Sequence, residues 1–313
     1  MSLLMYHFST NIIKNIIIID QFVEVVFVVP SKLIFVAMRH QLTEHYLYKD
    51  GDRINKKLGL VFFFVIVQYL IVMILLITFA NNVLEIILRP TETELQTIKM
   101  YYIFSVTFVA LVQSVYQIIH QIKMIQLVPH YINVVLYTLT PIFVHVGLLV
   151  GVNNIEYTLI LKAAAFLITI VVFGWQYFTK SSNSNIYFDY KMFTGLTRQE
   201  VSNFFNFYSA VLFEQLPEVI VELIIYFTYL TYQIAQFQRN IFPIIFYVYI
   251  QLTRLISSVM DTIYGIMNSF YQLNLKIGLQ RVRALYAKYP FGNLLTGVIF
   301  SIIIYFISEF LLK

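Results

Sequence analysis

Long apolar runs separated by short polar intervals make up most of this chain, and a membrane-crossing helix needs about 20 mostly apolar residues. Eight stretches meet that requirement: Ile12–Met38, Gly59–Ala80, Met100–His120, Tyr131–Val152, Tyr157–Phe178, Asn203–Thr231, Ile241–Phe270 and Asn293–Leu312. They are numbered here as spans one to eight. The second carries no charge at all, and Lys162 is the one charge in the fifth. Span one is the most interrupted, by Asp20, Glu24, Pro30 and Lys32. The expected architecture is all-α, a polytopic membrane protein of about eight transmembrane helices.

Composition excludes a water-soluble domain. Of 313 residues, 59% are hydrophobic and 12% charged, with mean hydropathy +0.76; soluble domains carry about 25% charged residues. The formal net charge of +5 is too small and too local for a nucleic-acid partner. Its distribution speaks to topology. Lys and Arg favour cytoplasmic loops, and eight spans put thirteen of them in the loops after spans one, three, five and seven, against three in the other loops. The thirteen-residue side is expected to face the cytoplasm. This parity places Met1 outside, and a further span in front is expected. There is no cysteine, hence no disulfide framework or thiolate site.

The polar interval Thr179 to Ser202 divides the chain into a first bundle over 1–178, a cytoplasmic linker over 179–202 and a second, incomplete bundle over 203–313. Thr197 with Glu200 has capping-box spacing and is expected to open the helix of span six. Thr91 with Glu94 gives the same signal ahead of span three.

Charges inside spans cost roughly 2.5–3.5 kcal/mol on insertion scales and so mark candidate sites. Glu214, Glu218 and Glu222 repeat every four residues along one face of span six, with Pro217 among them. Carboxylates in a low-dielectric cavity can exchange a proton near neutral pH. Arg254 and Asp261 in span seven are each expected to meet an opposite charge on another helix, Arg254 beside Glu218 or Glu222. Asp20 and Glu24 in span one form an acidic counterpart in the first bundle. Lys32 and Lys162 are expected to snorkel to the interface. Pro141, Pro217 and Pro243 are hinge candidates. The histidines show no metal spacing, no cofactor is indicated, and the signatures of phosphate loops, nucleophile elbows and zincins are absent.

The stretch Ile234-Ala-Gln-Phe-Gln-Arg-Asn and the following Ile241 to Gly265, with Tyr247 and Ser257-Ser258, resembles the eighth helix of the multidrug and toxic compound extrusion (MATE) transporters. The basic loop around Arg281 and Arg283 is similar to the approach to their ninth helix, and Leu216-Pro217 to the start of their seventh. Ile250 and Leu252 depart from that family's Pro-x-Gly, and Gly265 is the one remnant of its glycine pair. The resemblance implies two bundles that rock about a central path, spans one to five standing as helices two to six. It implies outward antiport of organic cations or other small amphiphiles against protons or sodium. The partners would be the bilayer and a small organic cation. A multi-span receptor or an orphan membrane scaffold is the alternative.

Overall fold

The computed structural model describes residues 10–88, 92–126, 155–179, 186–194 and 197–213, with scattered positions within 132–147 and 220–302. Every element among them is helical: α1 (Thr10–Val23), a π turn (Glu24–Val28), α2 (Val29–Leu47), α3 (Gly51–Thr78), α4 (Ala80–Ile87), α5 (Glu92–Phe104), a second π turn (Ser105–Val109), α6 (Ala110–Ile125), α7 (Ile155–Phe178) and a 3₁₀ turn (Tyr190–Phe193). Residues 198–213 form a further helix.

Among the described residues, four helices are long and apolar enough to cross a membrane: Asn15–Arg39, Gly51–Thr78, Ile98–Ile125 and Tyr157–Phe178. They coincide with expected spans one, two, three and five. Span one stays continuous across Pro30 because of what precedes it. Proline lacks an N–H, and its ring presses on the carbonyl four residues back, here Val26. The π turn Glu24–Val28 widens the backbone at that carbonyl. The Ser31 hydroxyl donates to the Phe27 carbonyl at 2.7 Å, next to the carbonyl that the proline leaves without its usual donor.

Helix directions follow from two core layers. In one, Phe27, Tyr69, Leu84, Tyr102, Val106 and Leu159 pack together. In the other, Met38, Leu42, Ile54, Leu58, Ile122 and Tyr177 do so. The second layer therefore joins the ends of spans one, three and five to the start of span two. Spans one, three and five run parallel, and span two runs against them. Arg39, Lys49, Arg53, Lys56, Lys57 and Lys123 consequently collect at one end, which we call the basic end.

The reversal between α2 and α3 is tight. Lys49 takes a left-handed conformation with φ of 57°, and the Asp50 carboxylate accepts from the Arg53 N–H at 3.3 Å to cap α3. The outward face of α3 is apolar and uncovered, with Leu70, Ile71, Ile74 and Leu75 all exposed, as is Phe79 just after it. Such a surface is favourable against lipid and unfavourable against water.

The interval after span five docks on the first bundle at the basic end. Its Phe188 N–H donates to the Tyr177 carbonyl at 2.7 Å, and the Phe188 ring meets Phe62, Tyr177 and Phe178. The Tyr187 N–H donates to Asn55 Oδ1 at 3.2 Å and its hydroxyl to Asp52 Oδ1 at 2.9 Å. Gly59 makes this possible: a Cβ there would lie 2.0 Å from the Met192 carbonyl oxygen. The capping box expected at Thr197 and Glu200 forms. The Glu200 N–H donates to Thr197 Oγ1 at 3.2 Å, and the Thr197 N–H donates to Glu200 Oε2 at 3.0 Å. The helix it opens lies on span two, with Phe204 stacked on Phe64 at 4.2 Å.

Candidate functional site

Asp20, Tyr101 and Lys162 lie near the starts of spans one, three and five. In the spanning helices Asn15–Arg39, Ile98–Ile125 and Tyr157–Phe178, Asp20 and Lys162 each follow the first residue by five positions, and Tyr101 by three. At 1.5 Å per residue they occupy one level, about 5–8 Å into the helices. Parallel packing of the three spans brings them together. Lys162 Nζ lies 2.8 Å from Asp20 Oδ2, and the Tyr101 hydroxyl donates to Asp20 Oδ1 at 3.0 Å. The carboxylate thus accepts on both oxygens, from a cation and from a phenol. Side-chain exposures of 22% for Lys162 and 16% for Asp20 put the pair largely inside the bundle.

This arrangement corrects the expectation for Lys162. Its ammonium does not extend to the interface. It turns inward because Asp20 sits at the same depth on the neighbouring helix. A lone charge among apolar helices costs far more than a hydrogen-bonded pair. Lys162 carried a sequence signal, as a single charge of opposite sign to an acid in another span. Tyr101 carried none, since tyrosine is common throughout the chain.

Glu24 opens the first π turn, one turn beyond Asp20. The two π turns approach each other around Tyr69 of span two. Its ring lies 5.6 Å from that of Phe27, and its hydroxyl donates to the carbonyl of Thr107 inside the second π turn. A widened turn holds its backbone hydrogen bonds less regularly than an α-helix and is a frequent functional feature. Spans one and three each carry such a turn just below the Asp20 pair.

A second polar cluster lies at the basic end. Gln126 Oε1 accepts from the Tyr177 hydroxyl at 2.5 Å and from Gln176 Nε2 at 3.3 Å. Lys123 Nζ sits 5.2 Å from the centre of the Tyr177 ring, within cation–π reach. The cluster ties the ends of spans three and five together, as Asp20 ties their starts. Between these ties, Gly174 on span five approaches Ile119 on span three.

Of the residues singled out in the sequence, Asp20 and Glu24 are therefore placed, at and beside an ion pair. Glu214, Glu218, Glu222, Arg254, Asp261, Pro141, Pro217 and Pro243 lie outside the described residues, as does Thr91. Among the described residues no group of three or more His, Asp or Glu side chains is arranged to hold a metal ion. No protein-family model, curated protein or solved structure matches the chain.

Proposed function

We propose that the protein is an integral membrane secondary transporter, similar to MATE exporters, that moves small organic cations outward against protons or sodium. The observation that supports this most is Asp20 inside the bundle, held by Lys162 and Tyr101 from two other spans. A cation antiporter needs an intramembrane acid that holds one positive charge at a time. Here the Lys162 ammonium is a tethered cation already on that acid. A proton, a sodium ion or an organic cation arriving at Asp20 competes with Lys162 for the same oxygens, and binding any of them frees the lysine. Displacing it loosens the tie between spans one and five. The π turns beside the pair give spans one and three a place to change shape. Acids in span six are expected to serve the second bundle in the same way.

The test is efflux of a fluorescent organic cation from proteoliposomes under an imposed pH or sodium gradient. The full chain should drive efflux, Asp20→Asn should abolish it, and Lys162→Met should bind the cation while weakening its coupling to the gradient. Gradient-driven efflux that persists in Asp20→Asn would sink the proposal. A second reading, a membrane scaffold without transport, is favoured by the near-complete neutralisation of Asp20 in the observed state. It predicts no efflux from the full chain under either gradient, and a folded, unimpaired Asp20→Leu plus Lys162→Leu variant.

A further inference from the structure

The Asp20–Lys162 pair is neutral as a unit, and its surroundings are apolar. Leu159 and Ala163 of span five are 1% and 0% exposed, and they pack in one layer with Tyr101, Tyr102 and Val106 of span three. A cation that binds Asp20 upsets this balance. The carboxylate then answers the visitor's charge, and the Lys162 ammonium is left beside a second positive charge inside the bundle. Burial and a neighbouring like charge both disfavour an ammonium, and uncompensated charge within a membrane is costly. An amine has a remedy that a guanidinium lacks: it can shed a proton and remain in place uncharged.

The pair as observed offers one proton for this purpose. Asp20, paired with an ammonium at 2.8 Å, has none to give. The tyrosines of the same layer commit theirs: Tyr101 to Asp20 Oδ1, Tyr102 to the Leu76 carbonyl at 3.3 Å and Tyr69 to the Thr107 carbonyl, and phenols hold their protons at neutral pH. Among the described residues, the other charged side chains on these elements are Glu24, one turn beyond Asp20, and Lys32 on span one, Lys99 on span three and the exposed Glu85 on α4, with the remainder at the basic end.

We propose that Lys162 is the proton carrier of the exchange: binding of an organic cation at Asp20 is matched by release of a proton from Lys162 Nζ. One N–H bond breaks, its electron pair stays on the nitrogen as the lone pair of a neutral amine, and the proton passes to water at the face to which the site is open. The site then keeps the same net charge whether empty or loaded, so exchange of a monovalent cation is one for one and electroneutral. This rests on the transport reading, and assigns within it the atom that gives up the proton.

Tetraphenylphosphonium is the probe, because it has no proton of its own. Calorimetric titration of the full chain in detergent, repeated in buffers of different ionisation enthalpy, counts protons released on binding, with Asp20→Asn as the blank for partition into micelles. The parent should release about one proton per cation bound, and its affinity should rise about tenfold per pH unit. Lys162→Arg keeps a cation on Asp20 but cannot lose a proton. It should release none and bind more weakly, with an affinity independent of pH. The absence of cysteine allows a second comparison that does not depend on how arginine fits. Lys162→Cys alkylated with 2-bromoethylamine regains an amine and should regain the release, whereas (2-bromoethyl)trimethylammonium installs a permanent cation and should not. Lys99→Met should behave as the parent. A proton still released by Lys162→Arg, or by the permanent cation, overturns the assignment to Lys162. Binding to the parent without proton release also overturns it, and leaves the transport reading standing. Failure of the parent to bind the cation at all overturns both.

Discussion

Lys162 Nζ and Asp20 Oδ2 are 2.8 Å apart, although 142 positions separate the two residues in the chain. The pair joins the first and fifth spans near their starts, and Tyr101 adds the third. Removing one member leaves the other charged and enclosed. Asp20→Asn and Lys162→Met should each lower stability by about 3 kcal/mol, the lower end of what breaking a buried pair costs. The double variant should recover most of that loss, because two neutral groups leave no uncompensated charge. Thermal unfolding in detergent measures both, and additive losses in the double variant would contradict the coupling.

Gly59 is the contact point for the segment that follows span five. Gly59→Ala would force a methyl against the Met192 carbonyl, 2.0 Å from the ideal Cβ position. Backbone on both sides cannot give way, so the 186–193 segment should lift, at a cost of about 1–3 kcal/mol. Trypsin cleavage after Lys191 should then be much faster than in the parent. Gly297→Ala is the control, since a Cβ there meets nothing within 4 Å. Equal cleavage rates in both variants would show that the segment docks without this contact.

The Thr197–Glu200 box begins the helix that returns to span two. Thr197→Ala should cost about 1 kcal/mol, the typical loss at an N-cap. The Thr197 N–H on Glu200 holds the carboxyl below its ordinary 4.5, with smaller help from the Thr197 hydroxyl, which the alanine variant loses, and then from Lys57 and Lys56. A depressed acid stabilises the fold above its unfolded value, so this contribution is present above about pH 4.5 and fades as pH drops through the lower folded value. A carboxyl titration by NMR should place Glu200 below 4.5 in the parent and closer to it in Thr197→Ala.

Tyr69 spends its hydroxyl on the Thr107 carbonyl in the second π turn. Tyr69→Phe keeps the ring against Phe27 and deletes the donor. A loss of about 1 kcal/mol is expected, within the range of interhelical hydrogen bonds in membranes. An unchanged melting temperature would mean that the π turn needs no outside donor.

His45, in the last turn of α2, is held below its ordinary 6.5 by burial first and by Arg53 second, against opposing pulls from Asp50 and Glu44. Below pH 6.5 the unfolded chain takes up a proton that the folded chain refuses. Stability should therefore fall as pH drops from 6.5 until His45 itself protonates in the fold. His45→Gln should flatten that part of the profile. An imidazole titration midpoint at or above 6.5 would reverse the sign.

Much of the helical framework was legible because burial against lipid is a one-dimensional property: a run of about 20 apolar residues needs no partner to be recognised. Spans two, three and five were read that way. Span one was harder to read, since Asp20, Glu24 and Pro30 all argue locally against a helix. Its acid is paired by a cation 142 residues away, and its proline follows a π turn that no local pattern announces. The Thr197–Glu200 box was legible for the opposite reason, as both partners lie within one turn. Lys162 was misread as an interfacial lysine because its own surroundings in the chain are apolar and give no hint of Asp20.

Hydropathy by itself determined the four described apolar helices that are long enough to cross a membrane, since each is a sum over neighbours in the chain. Tertiary structure alone decided that Asp20 belongs to Lys162 and Tyr101 and that Gly59 carries the returning segment. Those relations depend on how helices pack, which is set by contacts between distant parts of the chain.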